Sequence, residues 1–323
     1  MKKAITILLV LCLVFSSVFA QGTKEAATTT EGTTNLKWAL WDIASTTYYE
    51  PLIKAYEAKN PNVKIEMLDL GSADFMTMLS TQLSGGDSSI DVVTIKDIPG
   101  YNNLVKRNLL MNLNDKIKSE NVDLSLYGGT TDQISVDGKL YGIPFRSDFW
   151  VVFYNKDVFD KAGVAYPNND MTFAEYDALA RKMTSGVGAA KVYGAHYHTW
   201  RSAVQLFGIL DGKNTIVDGT YNFLKPYYEM VLSQQKDGIV QNYATLKTSS
   251  THYSGVFYNN SVAMMNMGSW FIATLINQID QGKTEVKNWG LVKYPHAEGV
   301  PAGTTLGTIT SLGVSNASKK KDA

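Results

Sequence analysis

Arg146 and Asp148 stand in front of the apolar run Phe149 to Tyr154, just after Pro144. Charge at the mouth of a core strand is costly unless that end meets water or a partner. A guanidinium pairs with carboxylates or phosphates through its planar fork, and a carboxylate accepts from hydroxyls and cations. Asp42 and Asp148 together have the composition of a glycosidase acid and nucleophile pair, but nothing in the sequence fixes their separation or raises one pKa. His196 and His198 lie two apart while His252 and His296 are isolated, so a metal centre would need carboxylates that no spacing brings in. Histidines at an edge, near a polar cleft, are the better reading. The chain contains no G-x-S-x-G elbow, no G-x-x-x-x-G-K phosphate loop and no H-E-x-x-H pair. This chemistry points to binding rather than catalysis, with no cofactor and no metal.

The elements that must position these residues follow an alternating plan. "LKWALWD" is strand-like, and "YYEPLIKAYEAKNP" puts Tyr49, Leu52, Ile53 and Tyr56 at helical spacing before Pro61. "VKIEMLDL" is a second strand. Ser72 is a candidate cap for a helix with Phe75, Met78, Leu79 and Leu83 on one face and Gly85-Gly86 at its end. "IDVVTI" is a β-branched run of the kind buried on both faces, so strands and helices alternate into a parallel sheet covered by helices. Ligands in such sheets bind beyond the carboxyl ends of strands, which selects Trp41 and Asp42 after the first strand and Lys96 and Asp97 after the third. Asp137-Gly138 suits a hairpin turn in "ISVDGKLYGIPF". "MTFAEYDALARKMTSG" is an amphipathic helix with Thr172 as cap, Glu175 at the capping-box position and Gly186 beyond its end.

Composition bounds the rest. A chain of 323 residues with 45% hydrophobic content exceeds one ordinary core, so two lobes are expected. Its 30 basic and 30 acidic residues carry no basic stripe, which excludes a nucleic-acid partner. Lys2 and Lys3, the apolar run Ala4 to Phe15 and the small-residue site ending at Ala20 read as a cleaved secretory signal peptide. The one cysteine, Cys12, lies inside that leader, so the mature fold has no disulfide. Leu11 before it disfavours a lipid anchor, although the Thr-rich segment after Ala20 resembles a membrane leash.

"VDGKLYGIPF", "VVFYNKDVFDKAGV", "TFAEYDALARKMT", "NNSVAMMNMGSW" and "TSLGVSNASKKKDA" occur in that order. Together they resemble the extracellular solute-binding proteins of family 1, the sugar-binding receptors of ABC importers. The resemblance implies an α/β, two-lobed periplasmic binding protein fold, each lobe a mostly parallel sheet flanked by helices. Ligand lies in the cleft and the lobes close by hinge motion. It implies residues 1–20 as leader, 21–35 as linker, 36–147 with 307–323 as the first lobe and 148–306 as the second. Ser147 to Trp150 is then a crossover, which accounts for charge beside a core strand: Arg146 and Asp148 face a solvated seam.

The resemblance also implies a site. A sugar presents hydroxyls at its rim and C–H groups on its faces, which carboxylates and flat aromatics complement. Trp270 matches a family tryptophan that stacks on sugar, Tyr197 aligns with a binding tyrosine, Asp148 with a cleft glutamate, and Trp200 follows as a candidate that reads better as core. Trp41, Asp42, Lys96, Asp97, Arg146 and His198 complete the set. The partners implied are a small sugar and the ABC transporter permease subunits, the protein acting as an extracytoplasmic or periplasmic monomer. The same fold with a polyamine, a glycerol phosphate or an acidic oligosaccharide is the alternative, and a secreted glycoside-active enzyme is a third. Family members continue beyond the point corresponding to Ala323, so a C-terminally truncated, less stable chain is expected.

Overall fold

A computed structural model describes residues 32–217 and 219–323. The leader, Cys12 and most of the proposed linker lie outside the described residues. Among the described residues, eight strands form one sheet: β1 (Thr34–Leu40), β2 (Val63–Asp69), β3 (Val92–Ile95), β4 (Ile143–Asn155), β5 (Tyr193–His196), β6 (Val262–Gly268), β7 (Trp289–Lys293) and β8 (Gly307–Val314). Their order is β2-β1-β3-β8-β4-β6-β5, with β7 also pairing β4.

The sheet passes from one lobe to the other through β4. Residues Ile143 to Phe149 pair antiparallel with β8, whereas Trp150 to Tyr154 pair with β6. The exchange falls between Phe149, opposite Gly307, and Trp150, opposite Gly268. Packing divides at the same place. Trp41, Phe75, Leu79, Val93, Ile95, Leu104 and Ile309 share one core, and Trp150, Val152, Phe159, Tyr176, Phe207 and Tyr294 share another against which Leu306 packs. Trp38, Leu40, Tyr49 and Ile53 form a further cluster in the first lobe, and Val151, Phe153, Met265 and Phe271 in the second, so the two-lobed α/β fold has its own apolar clusters in each lobe, joined by crossing strands.

Strand directions are more mixed than expected. β1 is parallel to β2 and β3, and β5 is parallel to β6, as strand–helix–strand units require. Every ladder made by β4 or β8 is antiparallel: β4 with β6, β7 and β8, and β8 with β3.

Local signals explain most elements. The helix Phe173–Met183 starts with the full capping box: Thr172 N–H donates to Glu175 Oε2 at 2.7 Å and Glu175 N–H donates to Thr172 Oγ1 at 3.3 Å. All seven residues of β6 are buried, the polar Asn266 among them, as a strand covered on both faces requires. Two local expectations fail. Ser72 does not cap the helix Phe75–Ser84, whose cap position is Asp74; the Ser72 carbonyl instead accepts from Lys96 Nζ at 2.8 Å. The Asp137-Gly138 turn forms, with φ of 51° and 71°, but only Val136 and Lys139 pair across it, because the helix Thr130–Ile134 has just ended.

Candidate ligand-binding cleft

The first-lobe wall grows from the carboxyl ends of β1 and β3. Trp41 is buried against Phe75 at 4.7 Å, and its ring carries Lys96 Nζ at 4.9 Å and Arg146 Cζ at 5.4 Å. Two cations over one indole gain from its π-face and leave that face covered. Asp42 follows in a left-handed conformation, φ 52°, its carbonyl taking the N–H groups of Ser45 and Thr46. Its carboxylate is the opposite charge nearest in effect to Lys96: burial pushes the Lys96 ammonium down, Asp42 and then Asp97 pull it up, and Arg146 pushes it down. Asp97 caps the helix Ile98–Lys106, its Oδ1 accepting from Gly100 N–H at 2.7 Å. Half of its carboxylate is thus spent on backbone.

At the seam, Arg146 Nε lies 3.0 Å from Asp148 Oδ2, and Arg146 Nη1 also donates to the Tyr48 hydroxyl. Asp148 is buried, and its Oδ1 accepts from Ser269 Oγ at 2.9 Å. Ser269 in turn donates its N–H to the Phe149 carbonyl at 2.8 Å. Asp148 therefore joins the first-lobe cation to the loop that carries Trp270.

The second-lobe wall is aromatic. Trp270 meets Trp150 edge-on at 5.7 Å and Trp200 at 6.0 Å; Trp200 meets Tyr253 at 5.5 Å and His198 at 4.4 Å. Gly268 makes room for Trp270, since a Cβ there would overlap the indole ring. His252 lies on Tyr253 at 4.0 Å and 6.2 Å from His198. The two walls act on each other: Asp42 pulls the His252 imidazole up and Lys96 pushes it down, against the larger downward effect of lost hydration. Burial raises the Tyr253 phenol, and Asp42 raises it further.

The structure thus brings Trp41, Asp42, Lys96, Arg146 and Asp148 to one wall and seam, with His198 and Trp270 on the facing wall. Asp97 stands beside them with a capping duty. Tyr197 is not among them: it is buried in the second-lobe core, 5.7 Å from Phe207 and 6.4 Å from Tyr176. Sequence reasoning did not single out Tyr253 or Tyr48, left His252 as isolated, and placed Trp200 in the core. The missed signal for His252 and Tyr253 was topological. The helix they start leads into β6, so its beginning lies at the carboxyl edge of β6 and of its parallel neighbour β5. Among the described residues, no group of three or more His, Cys, Asp or Glu side chains is placed to hold a metal.

Residues 41–323 match the bacterial extracellular solute-binding protein family. The chain belongs to that family. Its members are binding proteins, and the family name places them outside the cytoplasm. A sugar transporter from Rhizobium etli, solved in an open conformation, is 56% identical, superposes with a TM-score of 0.69, and shares 90% of this chain and 74% of its own. An ABC transporter extracellular-binding protein of Pyrococcus horikoshii is 26% identical over 307 residues, 87% of this chain and 70% of that one. The lactose-binding protein of Rhizobium radiobacter is 25% identical over 283 residues, covering 83% and 63%.

Proposed function

We propose that this solute-binding protein takes a mono- or oligosaccharide between its lobes and presents it to the membrane permease of an ABC importer. The observation that carries this reading is the pairing of two unlike walls. Asp42 and Lys96 offer an acceptor and a donor side by side for hydroxyls, while the half-buried Trp200 and Trp270, backed by the buried Tyr253, offer flat apolar surface for a sugar face. The sugar names carried by relatives support the class. Residues 36–147 with 307–323 and residues 148–306 act as the two rigid bodies, hinged where Phe149 faces Gly307. The protein works as a monomer, exported by a cleaved leader, without catalytic turnover.

Titrating intrinsic tryptophan fluorescence with lactose, maltose, mannotriose, D-mannitol and arabino-oligosaccharides tests this. Trp200 and Trp270 lie in the wall, so a saturable change with at least one of these is the outcome foreseen. Silence towards every sugar, alongside a response to spermidine or glycerol 3-phosphate, overturns it. One observation favours a second reading, an acidic saccharide: Lys96 and Arg146 converge on Trp41. The Arg146 charge is already met by Asp148, which is why the neutral sugar ranks first.

A further inference from the structure

His252 occupies the cap position of the helix Tyr253–Tyr258, where Ser, Thr, Asp or Asn is the usual choice. Its Nδ1 accepts from Ser254 N–H at 3.4 Å and lies 2.6 Å from Ser254 Oγ. A backbone N–H has only a proton to give, so Nδ1 must keep its lone pair. The neutral ring is thereby fixed with its proton on Nε2, and both cap contacts leave that atom unused. The residue keeps access to solvent although packing on Tyr253 strips part of the ring's hydration, and it lies within the fields of Asp42 and Lys96 from the opposite lobe. Its other neighbours are Tyr253 and His198, whose Nδ1 is buried without a partner; Lys247 acts on His198 from the helix Tyr243–Thr248.

We propose that His252 is a specificity-determining residue of the second lobe, its cap-fixed Nε2–H donating to a sugar hydroxyl or ring oxygen held opposite Asp42 and Lys96. The inference rests on the seam being the sugar site. It gives the second lobe a directional donor in a wall that is otherwise aromatic, so the ligand is read by polar groups from both bodies. A donor whose hydrogen is set before binding orients its acceptor without a tautomer change. A sugar that presents only C–H to this position is discriminated against.

His252→Ser separates the two duties. Serine caps at least as well as histidine, so the melting temperature stays within about 2 °C, but the donor is gone and affinity for the best sugar of the lactose, maltose, mannotriose, mannitol and arabino-oligosaccharide panel falls about fivefold to tenfold. His252→Asn, which caps through Oδ1 and retains N–H groups, recovers part of the loss. Nitrogen-15 spectra of the full chain, which has four histidines, read the tautomer directly and without ligand: the His252 pair appears as Nε2–H at pH 8. An Nδ1–H signal there, or a His252→Ser protein that binds as tightly as wild type, overturns the proposal. No response of the wild type to any sugar overturns the sugar reading itself and the donor role with it, an outcome distinct from equal binding by both proteins.

Discussion

Asp148 Oδ2 lies 3.0 Å from Arg146 Nε while its Oδ1 takes the hydroxyl of Ser269 at 2.9 Å, so one buried carboxylate ties the first-lobe cation to the second-lobe loop. This pair sits on β4 just before the strand changes partners. A carboxylate here steadies the approach of one body to the other and turns the Arg146 guanidinium towards Trp41 and Tyr48. Asp148→Ala leaves Arg146 without its counter-charge and Ser269 without its acceptor. Urea unfolding should show a loss of about 2 to 3 kcal/mol, with sugar affinity reduced as well. Asp148→Asn retains an acceptor for Ser269 and should lose less.

Gly268 is the floor under Trp270, and a methyl group there has no room. Gly268→Ala should tilt the indole away from Trp150 and Trp200, weaken sugar binding by tenfold or more and alter near-ultraviolet circular dichroism. A variant with unchanged spectrum and affinity would show that the ring has no part in the site.

Tyr197 provides the converse test. Its hydroxyl lies in the core against Tyr176 and Phe207, so Tyr197→Phe should leave sugar affinity within twofold of wild type. Tyr197→Ala should cost about 3 to 5 kcal/mol through the cavity it opens.

Two buried histidines set an acid limit. Burial pushes His196 down to about 3 and His198 to about 4, each lowered further by a neighbouring histidine. Both are held neutral in the folded chain while the unfolded chain titrates them near 6.5, so the unfolded state binds more protons between these values. The stabilisation from keeping them neutral is complete above about pH 6.5 and is lost as pH falls towards 4, by about 1.4 kcal/mol per unit for each histidine. Thermal melts at pH 7 and pH 5 should differ in that sense, and His196→Gln should flatten the difference.

The sequence carried the alternation of strands and helices and the capped helix after Thr172 because each depends on local spacing, whereas a crossing at Ser147 to Trp150 was implied by the family resemblance alone. Where a side chain is spent did not follow from spacing. Asp97 looks free at a strand end, yet its Oδ1 is taken by Gly100, a choice made by backbone geometry three residues on. In "HYHTW" side chains leave alternate faces, and which face meets the core depends on the helices packed behind β5. Tyr197 met Phe207, and His198 met Trp200 and Tyr253. His252 and Tyr253, at a helix start far along the chain, reach Asp42 only because the two lobes face each other.

A crystal structure of the chain with the sugar that gives the largest fluorescence change is the most direct measurement. Sugar density between Asp42 and Lys96 on one side and Trp270, Tyr253 and His252 on the other is the predicted result. Density in the separate cavity of about 610 Å³ lined by Arg201, Tyr221, Lys225 and Tyr228, with the seam left empty, would contradict the account.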